Sequence, residues 1–172
     1  MRLFIGIKFN EETKNRLIML RDQLQSSSEG GNFTANDNFH LTLVFLGECD
    51  AEKVKKIKAI IDEVQFNKFN LEIDRVGSFK RDGGDTWWAG VGVNKTLSKL
   101  QSDLTSKLLS AGFSVSDEKY NPHITLGRKV DTITKPWLVQ MFSETIYSFD
   151  LIKSERINDR VVYKSIYNSE RK

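Results

Sequence analysis

The hydrophobic and polar positions along the chain divide it into a series of strands and helices. Three helices are predicted to begin at Asn10, Asp50 and Asn94, because each is a capping residue followed by apolar positions at helical spacing. The predicted strands are RLFIGIKF, FHLTLVFLG, FNLEIDRVGSF, TWWAGVGV and PHITLGRKV, with ETIYSFDLIKSER and RVVYKSIYN as a closing hairpin. The segment QSSSEGGN is predicted as a loop, and TKPWLVQMF as a short helix.

The order of these elements repeats within the chain. From residue 1, and again from about residue 86, it runs strand, helix, loop and a strand that carries a histidine. We interpret residues 1–48 and 86–128 as diverged copies of one unit. The prediction is an α+β fold in which residues 1–172 form a single domain of two intertwined, pseudo-symmetric lobes. Each lobe has an antiparallel-rich sheet with helices on its outer face, and a central cleft lies between the lobes.

Composition and charge narrow the possible classes of protein. The single cysteine excludes a disulfide framework within the chain and a cysteine zinc site. A net charge of +3 is too small for a protein that coats nucleic acid, so any anion must be recognised locally. The opening residues MRLFIGIKFNEETK contain no long apolar run, so we predict neither a signal peptide nor a membrane span. We expect a cytoplasmic monomer.

The two histidines of the chain lie in near-copies of one tetrapeptide. His40 is in HLTL and His123 is in HITL, 83 residues later. Side chains two positions apart on a strand share a face, so His40 lies beside Thr42 and His123 beside Thr125. If the two lobes face each other about a pseudo-two-fold axis, both imidazoles and both hydroxyls meet in one cleft.

This set of groups suits attack by water on a phosphodiester. An imidazole titrates near pH 6.5, so one histidine can act as a general base and the other as a general acid. Hydroxyls of Thr42 and Thr125 can donate to phosphate oxygens, and Arg128 can add a cation. A structural role for the histidines and a shared zinc site are the alternatives, but the sequence does not indicate carboxylate ligands for zinc.

The motifs resemble those of the two-histidine (2H) phosphoesterases. Within that superfamily the chain is most similar to the bacterial and archaeal RNA 2′,3′-cyclic phosphodiesterases, also called 2′-5′ RNA ligases. The resemblance covers nearly the whole chain and rests on the segments RLFIGIKF, NFHLTLVFLGE, TWWAGV, NPHITLGR and LIKSER…VVYKSIY.

The resemblance implies an activity and roles for the site residues. His123 would be the base that activates water, and His40 the acid that protonates the leaving ribose oxygen. Thr42 and Thr125 would hold the phosphate, with Arg128 in support. The family hydrolyses 2′,3′-cyclic phosphate ends of RNA to 2′-phosphates without a metal or cofactor. Sequence alone leaves open which histidine is the base.

Phe45 is a candidate on which two arguments conflict. Strict alternation places it with Leu41 and Leu43, on the face opposite Thr42, unless the strand bends. The family resemblance instead implies an aromatic side chain near the nucleobase at this position.

Two further segments give secondary candidates. One of Trp87 and Trp88 could enter the core while the other approaches the cleft, although packing of both is the simpler interpretation. Lys80 and Arg81 could contact RNA, although a surface turn is the simpler interpretation.

Other functions remain open at this stage. The substrate could be a 2′-5′-linked oligonucleotide or a small cyclic nucleotide, which the mild net charge permits. A non-catalytic RNA-binding module is the third hypothesis. It is disfavoured because a binding protein would not need two side chains with pKa values near neutrality.

Overall fold

The computed structural model describes residues 1–171 of the chain. Its elements, in chain order, are β1 (Arg2–Lys8), α1 (Glu11–Ser26), β2 (Ser28–Phe33), β3 (His40–Glu48), α2 (Ala51–Glu63), β4 (Phe69–Phe79), β5 (Asp85–Val91), α3 (Lys95–Ser110), β6 (His123–Thr132), β7 (Trp137–Ile146), β8 (Asp150–Ile157) and β9 (Arg160–Asn168). Short 3₁₀ turns occupy Asn36–Asn38 and Ser169–Arg171. Lys172 lies outside the described residues.

The strands form two antiparallel sheets, in which the strands from the histidine-bearing one onward are arranged in the same way. The first sheet is β3-β1-β8-β9 and the second is β2-β6-β5-β4-β7. In each, the histidine-bearing strand pairs with the strand that precedes a helix, β3 with β1 and β6 with β5. The predicted α+β fold with two lobes is confirmed. Strand β2 comes from the first half of the chain but lies beside β6, so the halves exchange a strand.

The helices begin where their capping residues predict. The side chains of Asn10, Asp50 and Asn94 each accept a hydrogen bond from the backbone N–H three residues later. Such caps satisfy donors that the first turn of a helix leaves without partners. Within residues 1–171, no helix has the length and apolar character needed to cross a membrane.

One continuous core joins the two lobes. Helix α1 approaches β2, β6 and β7 of the second sheet, whereas α3 approaches β3 of the first sheet. Strands β3 and β6 also lie close to each other. The aliphatic side chains that alternate with the motif histidines, Leu41 and Ile124, are fully buried. Their burial turns the histidines and threonines to the opposite face of each strand.

Two predicted elements are wrong. The segment QSSSEGGN was predicted as a loop, yet Ser28–Phe33 is an edge strand paired with β6. TKPWLVQMF was predicted as a helix, yet Trp137–Ile146 is an edge strand paired with β4. Along this strand Trp137 packs against the core while its neighbour Leu138 is exposed. Apolar residues on both faces of the strand hid this two-residue alternation in the sequence. Pairing with β4 then decides the conformation of the segment, whatever its local composition favours.

Candidate active site

The predicted site residues line one continuous cleft between the lobes. A recess of about 690 Å³ is lined by His40, Thr125 and Arg128. A second recess includes His40, Thr42, Phe45 and Arg128, and a third includes Thr42, Phe45 and His123. Because adjoining recesses share these side chains, the cleft brings together all six of the residues listed here: His40, Thr42, Phe45, His123, Thr125 and Arg128.

Each histidine is oriented by the backbone carbonyl two residues before it. The Nδ1 atom of His40 lies 2.8 Å from the carbonyl oxygen of Asn38, and Nδ1 of His123 lies 2.8 Å from that of Asn121. A carbonyl only accepts, so Nδ1–H is the donor in both rings. In the neutral rings Nε2 therefore carries the lone pair, which fits either ring for proton transfer through Nε2.

This arrangement reveals a longer repeat than the tetrapeptide. The two segments read NFHLTL and NPHITL, so an asparagine precedes each histidine by two residues. The repeated spacing of this asparagine is a signal in the sequence that the tetrapeptide alone leaves out. The side chain of Asn38 also donates to the carbonyl of Val161 at 2.8 Å, which ties the turn before β3 to β9.

Aromatic rings enclose the imidazole of His40. The ring centroid of Phe4 lies 4.7 Å from that of His40, and that of Tyr163 lies 4.9 Å away with its plane nearly perpendicular. The hydroxyl of Thr42 lies 3.0 Å from Nε2 of His40 and donates to it when the ring is neutral. No sequence pattern pointed to Phe4 or Tyr163, because only the pairing of β1 and β9 into the first sheet brings them here.

Burial lowers the pKa of both histidines. For His40 the pKa falls to about 4, chiefly from loss of solvation, with smaller contributions from the positive charges of Arg128, His123 and Lys8. Burial likewise lowers the pKa of His123, and the positive charges of Arg128 and Arg81 lower it further by smaller amounts. Both rings are therefore mainly neutral at pH 7, whereas unperturbed pKa values would have allowed one ring to be protonated.

A one-residue register shift in β3 resolves the conflict over Phe45. Thr42 and Val44 face consecutive residues of β1, so Leu43 is an extra residue. Leu43 and Val44 are both buried, and the alternation resumes one position later with Phe45 half-exposed. A bulge of this kind transfers the following side chains to the other face. Phe45 therefore lines the cleft beside Thr42, contrary to strict alternation.

Strand β6 contains the same irregularity at the equivalent place. Thr125 and Gly127 face consecutive residues of β5, which makes Leu126 the extra residue. The first six residues of β3 and of β6 share one burial pattern, in which the sixth is exposed. That sixth residue is Arg128 in β6, and it lines the cleft for the same reason as Phe45 in β3.

Reciprocal hydrogen bonds fix the two threonines across the lobes. The hydroxyl of Tyr120, which precedes β6, donates to the backbone carbonyl of Thr42 at 2.7 Å. The hydroxyl of Thr34, which precedes β3, donates to the carbonyl of Thr125 at 2.9 Å. Each half of the chain thus supports the motif strand of the other half, and the separation of the two motifs is set by direct contacts.

The two tryptophans differ in burial. Trp87 is buried in the core, whereas Trp88 is half-buried and packs on Phe79 with ring centroids 5.2 Å apart. Phe79 in turn meets the ring of His123 edge-on at 5.1 Å. Phe79, which was not foreseen from the sequence, lines the recess that contains His123, whereas Trp88 packs behind it and lines none of the three recesses that form the cleft.

The turn between β4 and β5 contributes one cation to the cleft. Lys80 pairs with Asp85 at 2.9 Å and points along the turn. Arg81 lies over the ring of Phe79 at 5.4 Å and lines the recess that contains His123. Of the two secondary candidates in this turn, only Arg81 reaches the site.

The cleft offers hydrogen-bond donors and positive charge. Across residues 1–171, the structure contains no group of three or more His, Cys, Asp and Glu side chains arranged to hold a metal ion. Two imidazoles, two hydroxyls and a guanidinium suit an anionic ligand that undergoes proton transfer.

Comparisons with known proteins show which family the chain resembles in sequence and fold. The family model described as LigT like Phosphoesterase matches residues 7–88 and 91–163. An RNA 2′,3′-cyclic phosphodiesterase of Thermotoga maritima is 37% identical over 131 residues, which cover 74% of this chain and 70% of that protein. One from Escherichia coli is 31% identical over 164 residues, covering 94% and 92%. The crystal structure of E. coli LigT complexed with 3′-AMP superimposes with a TM-score of 0.85 at 27% identity, covering 97% of this chain and 95% of that one.

Proposed function

The chain belongs to the LigT-like phosphoesterase family, and from this we propose that it hydrolyses 2′,3′-cyclic phosphate ends of RNA to 2′-phosphomonoesters. The observation that carries the proposal is the matched pair of histidines, each with Nδ1 bonded to a carbonyl 2.8 Å away. Both rings are thereby set to transfer protons through Nε2. The relatives in Thermotoga maritima and Escherichia coli carry the name of this activity.

The proposed reaction is a single in-line displacement at phosphorus. Nε2 of His123 takes a proton from water, and the water oxygen bonds to phosphorus. The bond from phosphorus to the ribose 3′ oxygen breaks, and Nε2–H of His40 gives its proton to that oxygen. The products are a 2′-phosphate and a free 3′ hydroxyl, and one proton transfer back between the histidines through solvent restores the starting state.

The remaining cleft residues act on the phosphate. Hydroxyls of Thr42 and Thr125 donate to its non-bridging oxygens, and the guanidinium of Arg128 balances its negative charge. The same charge of Arg128 lowers the pKa of both histidines in the free protein. A bound diester anion opposes that effect, so substrate raises the pKa of His40 and favours the protonated acid.

Phe45 has a separate role in the proposal. It is half-exposed beside Thr42, and the guanidinium of Arg2 lies 5.1 Å from its ring centroid. This exposed ring next to the phosphate site suits stacking with the base of the terminal nucleotide.

We place the reaction in the cytoplasm, in a monomer that needs no metal or cofactor. All of the proposed groups come from one chain, and they supply both the acid and the base. The only cysteine, Cys49, is buried and unpaired, which is compatible with a reducing compartment.

Product identification tests the proposed function. An RNA oligonucleotide that ends in a 2′,3′-cyclic phosphate is incubated with the protein, with and without a chelator, and the monoester is identified by ³¹P NMR. We expect a 2′-phosphate at the same rate in both samples. A 3′-phosphate would overturn the assignment of the leaving oxygen, chelator-sensitive turnover restored by zinc would overturn the metal-free mechanism, and no turnover would overturn the function.

A further inference from the structure

The open face of the second sheet continues outward from the catalytic cleft. In the strand register His123 pairs with Gly90, Gly90 with Arg75, and Arg75 with Leu138. Directly paired residues on antiparallel strands share a face of the sheet. This row therefore leads from the proposed base across β5 and β4 to the exposed side chain of Leu138 on β7, which is 87% accessible.

A second row runs beside the first. Thr125 pairs with Trp88, and Trp88 with Gly77. A Cβ atom at Gly77 would lie 2.4 Å from the indole of Trp88, so the ring extends over the backbone of that glycine. In the same way, a Cβ atom at Gly90 would lie 2.5 Å from Cγ of Arg75. The two glycines allow an aromatic ring and an arginine to lie flat on the sheet.

These side chains form a platform, which we define as Arg75, Phe79, Trp88 and Leu138. Phe79 joins it to the site because its ring meets those of both Trp88 and His123. A recess of about 320 Å³ opens between Trp88 and the start of β7. Within residues 1–171, the buried indole N–H of Trp88 has no hydrogen-bond acceptor. The guanidinium of Arg75 is held by Asp74 at 2.8 Å while its side chain stays partly exposed.

Aromatic rings beside a cation are the arrangement with which proteins bind single-stranded nucleic acid. Adjacent strands are about 4.8 Å apart, so Trp88 lies about that far from Thr125, and Arg75 about 10 Å from His123. The platform therefore begins beside the phosphate site and extends about 10 Å from it, where the nucleotides next to the terminal one would lie.

We propose that this platform binds the nucleotides on the 5′ side of the terminal cyclic phosphate, in single-stranded RNA. The inference rests on the proposed function, since the cyclic phosphate in the cleft fixes where the preceding nucleotides lie. A base stacks on Trp88, the recess beside it receives the edge of that base, and Arg75 faces a phosphate of the chain. The platform thus makes RNA ends better substrates than nucleoside cyclic phosphates.

The test compares substrates of different length. We measure kcat/KM for a tetranucleotide with a terminal 2′,3′-cyclic phosphate and for the corresponding nucleoside 2′,3′-cyclic phosphate. The ratio of the two is expected to be at least about tenfold in the wild-type protein, within the range of base–aromatic stacking energies. Trp88→Ala is expected to lower this ratio at least about fivefold, and Trp88→Phe to retain most of it. Taking a ratio cancels any effect of the substitution on the chemical step.

Control variants keep the test decisive. Tyr147→Ala removes an exposed aromatic ring that lines none of the recesses containing the histidines, and it should leave the ratio unchanged. Should Trp88→Ala fail to fold, Arg75→Gln and the exposed Leu138→Asp provide the same measurement. A ratio that no platform variant lowers would overturn the platform.

The two proposals fail in different ways. A wild-type protein that turns over the nucleoside cyclic phosphate without preferring the tetranucleotide contradicts the platform alone. A protein that turns over neither substrate contradicts the proposed function and with it the platform.

Discussion

Phe45 and Arg128 occupy equivalent positions in the two lobes, each three residues after a motif threonine and each turned into the cleft by one extra leucine. The register shifts at Leu43 and Leu126 produce this placement. The equivalent bulges put an aromatic ring into the cleft from the first motif strand and a cation from the second. The two motifs therefore share proton-transfer groups but differ in what they offer a ligand, which gives the substrate a preferred direction.

The lowered pKa values move the expected pH optimum below neutrality. A plot of kcat/KM against pH reports groups of the free enzyme. The productive form has His40 protonated and His123 neutral, and it is a minor form because the acid His40 has the lower pKa, about 4. The bell should therefore fall off below the pKa of His40 and above that of His123, which is lowered from 6.5. Activity should therefore be highest between these limits. The optimum for kcat should lie at higher pH, because bound diester raises both values. A kcat/KM optimum above pH 7 would contradict this electrostatic description.

Arg128 and Arg81 should affect the pH profile differently. The charge of Arg128 lowers the pKa of both histidines, so Arg128→Gln should move both limbs of kcat/KM to higher pH and raise KM. The charge of Arg81 acts on the pKa of His123 and not on that of His40. Arg81→Gln should therefore move the alkaline limb alone. Identical shifts in the two variants would contradict the action of the Arg128 charge on both histidines.

An activated leaving group distinguishes the acid from the base. A nucleotide 4-nitrophenyl phosphodiester releases nitrophenolate, which departs without being protonated. His40→Ala should therefore lose much less activity on this substrate than on a cyclic phosphate, whereas His123→Ala should lose similar activity on both. Release of nitrophenolate is followed by absorbance. The opposite pattern would exchange the roles of the two histidines.

Tyr120 should stabilise the cleft through a single hydroxyl. Tyr120→Phe leaves the ring in place but removes the donor to the carbonyl of Thr42. Loss of one hydrogen bond of this kind costs about 1 kcal/mol in the free energy of unfolding. We expect that loss in urea denaturation, with a fall in kcat because Thr42 is less firmly positioned. Tyr147→Phe, which changes an exposed ring, is the control. Unchanged stability and kcat would show that the contact across the lobes is dispensable.

The sequence was sufficient to predict features that depend on local chemistry. Asn10, Asp50 and Asn94 cap the three helices as their positions indicated. The alternation in HLTL and HITL placed the histidines and threonines on one face of each motif strand, because the intervening aliphatic residues are apolar enough to be buried.

Features that depend on strand pairing could not be predicted. The bulges at Leu43 and Leu126 exist only because β1 and β5 fix the register on either side of them. Edge strands β2 and β7 depend on backbone hydrogen bonds to neighbours distant in sequence, so a segment as polar as SEGGNF carries no local strand signal. For the same reason, the rings of Tyr163 and Phe79 beside the histidines were not foreseen.

The most direct test of the central claim is turnover of a terminal 2′,3′-cyclic phosphate by single histidine variants whose folding is verified by circular dichroism and thermal midpoint. His40→Ala and His123→Ala should each lower kcat/KM at least about 100-fold, the low end of a general acid or base contribution. Met19→Ala, at an exposed position on α1, should match the wild-type protein. A folded His40→Ala or His123→Ala variant that retains wild-type kcat/KM would contradict the two-histidine mechanism.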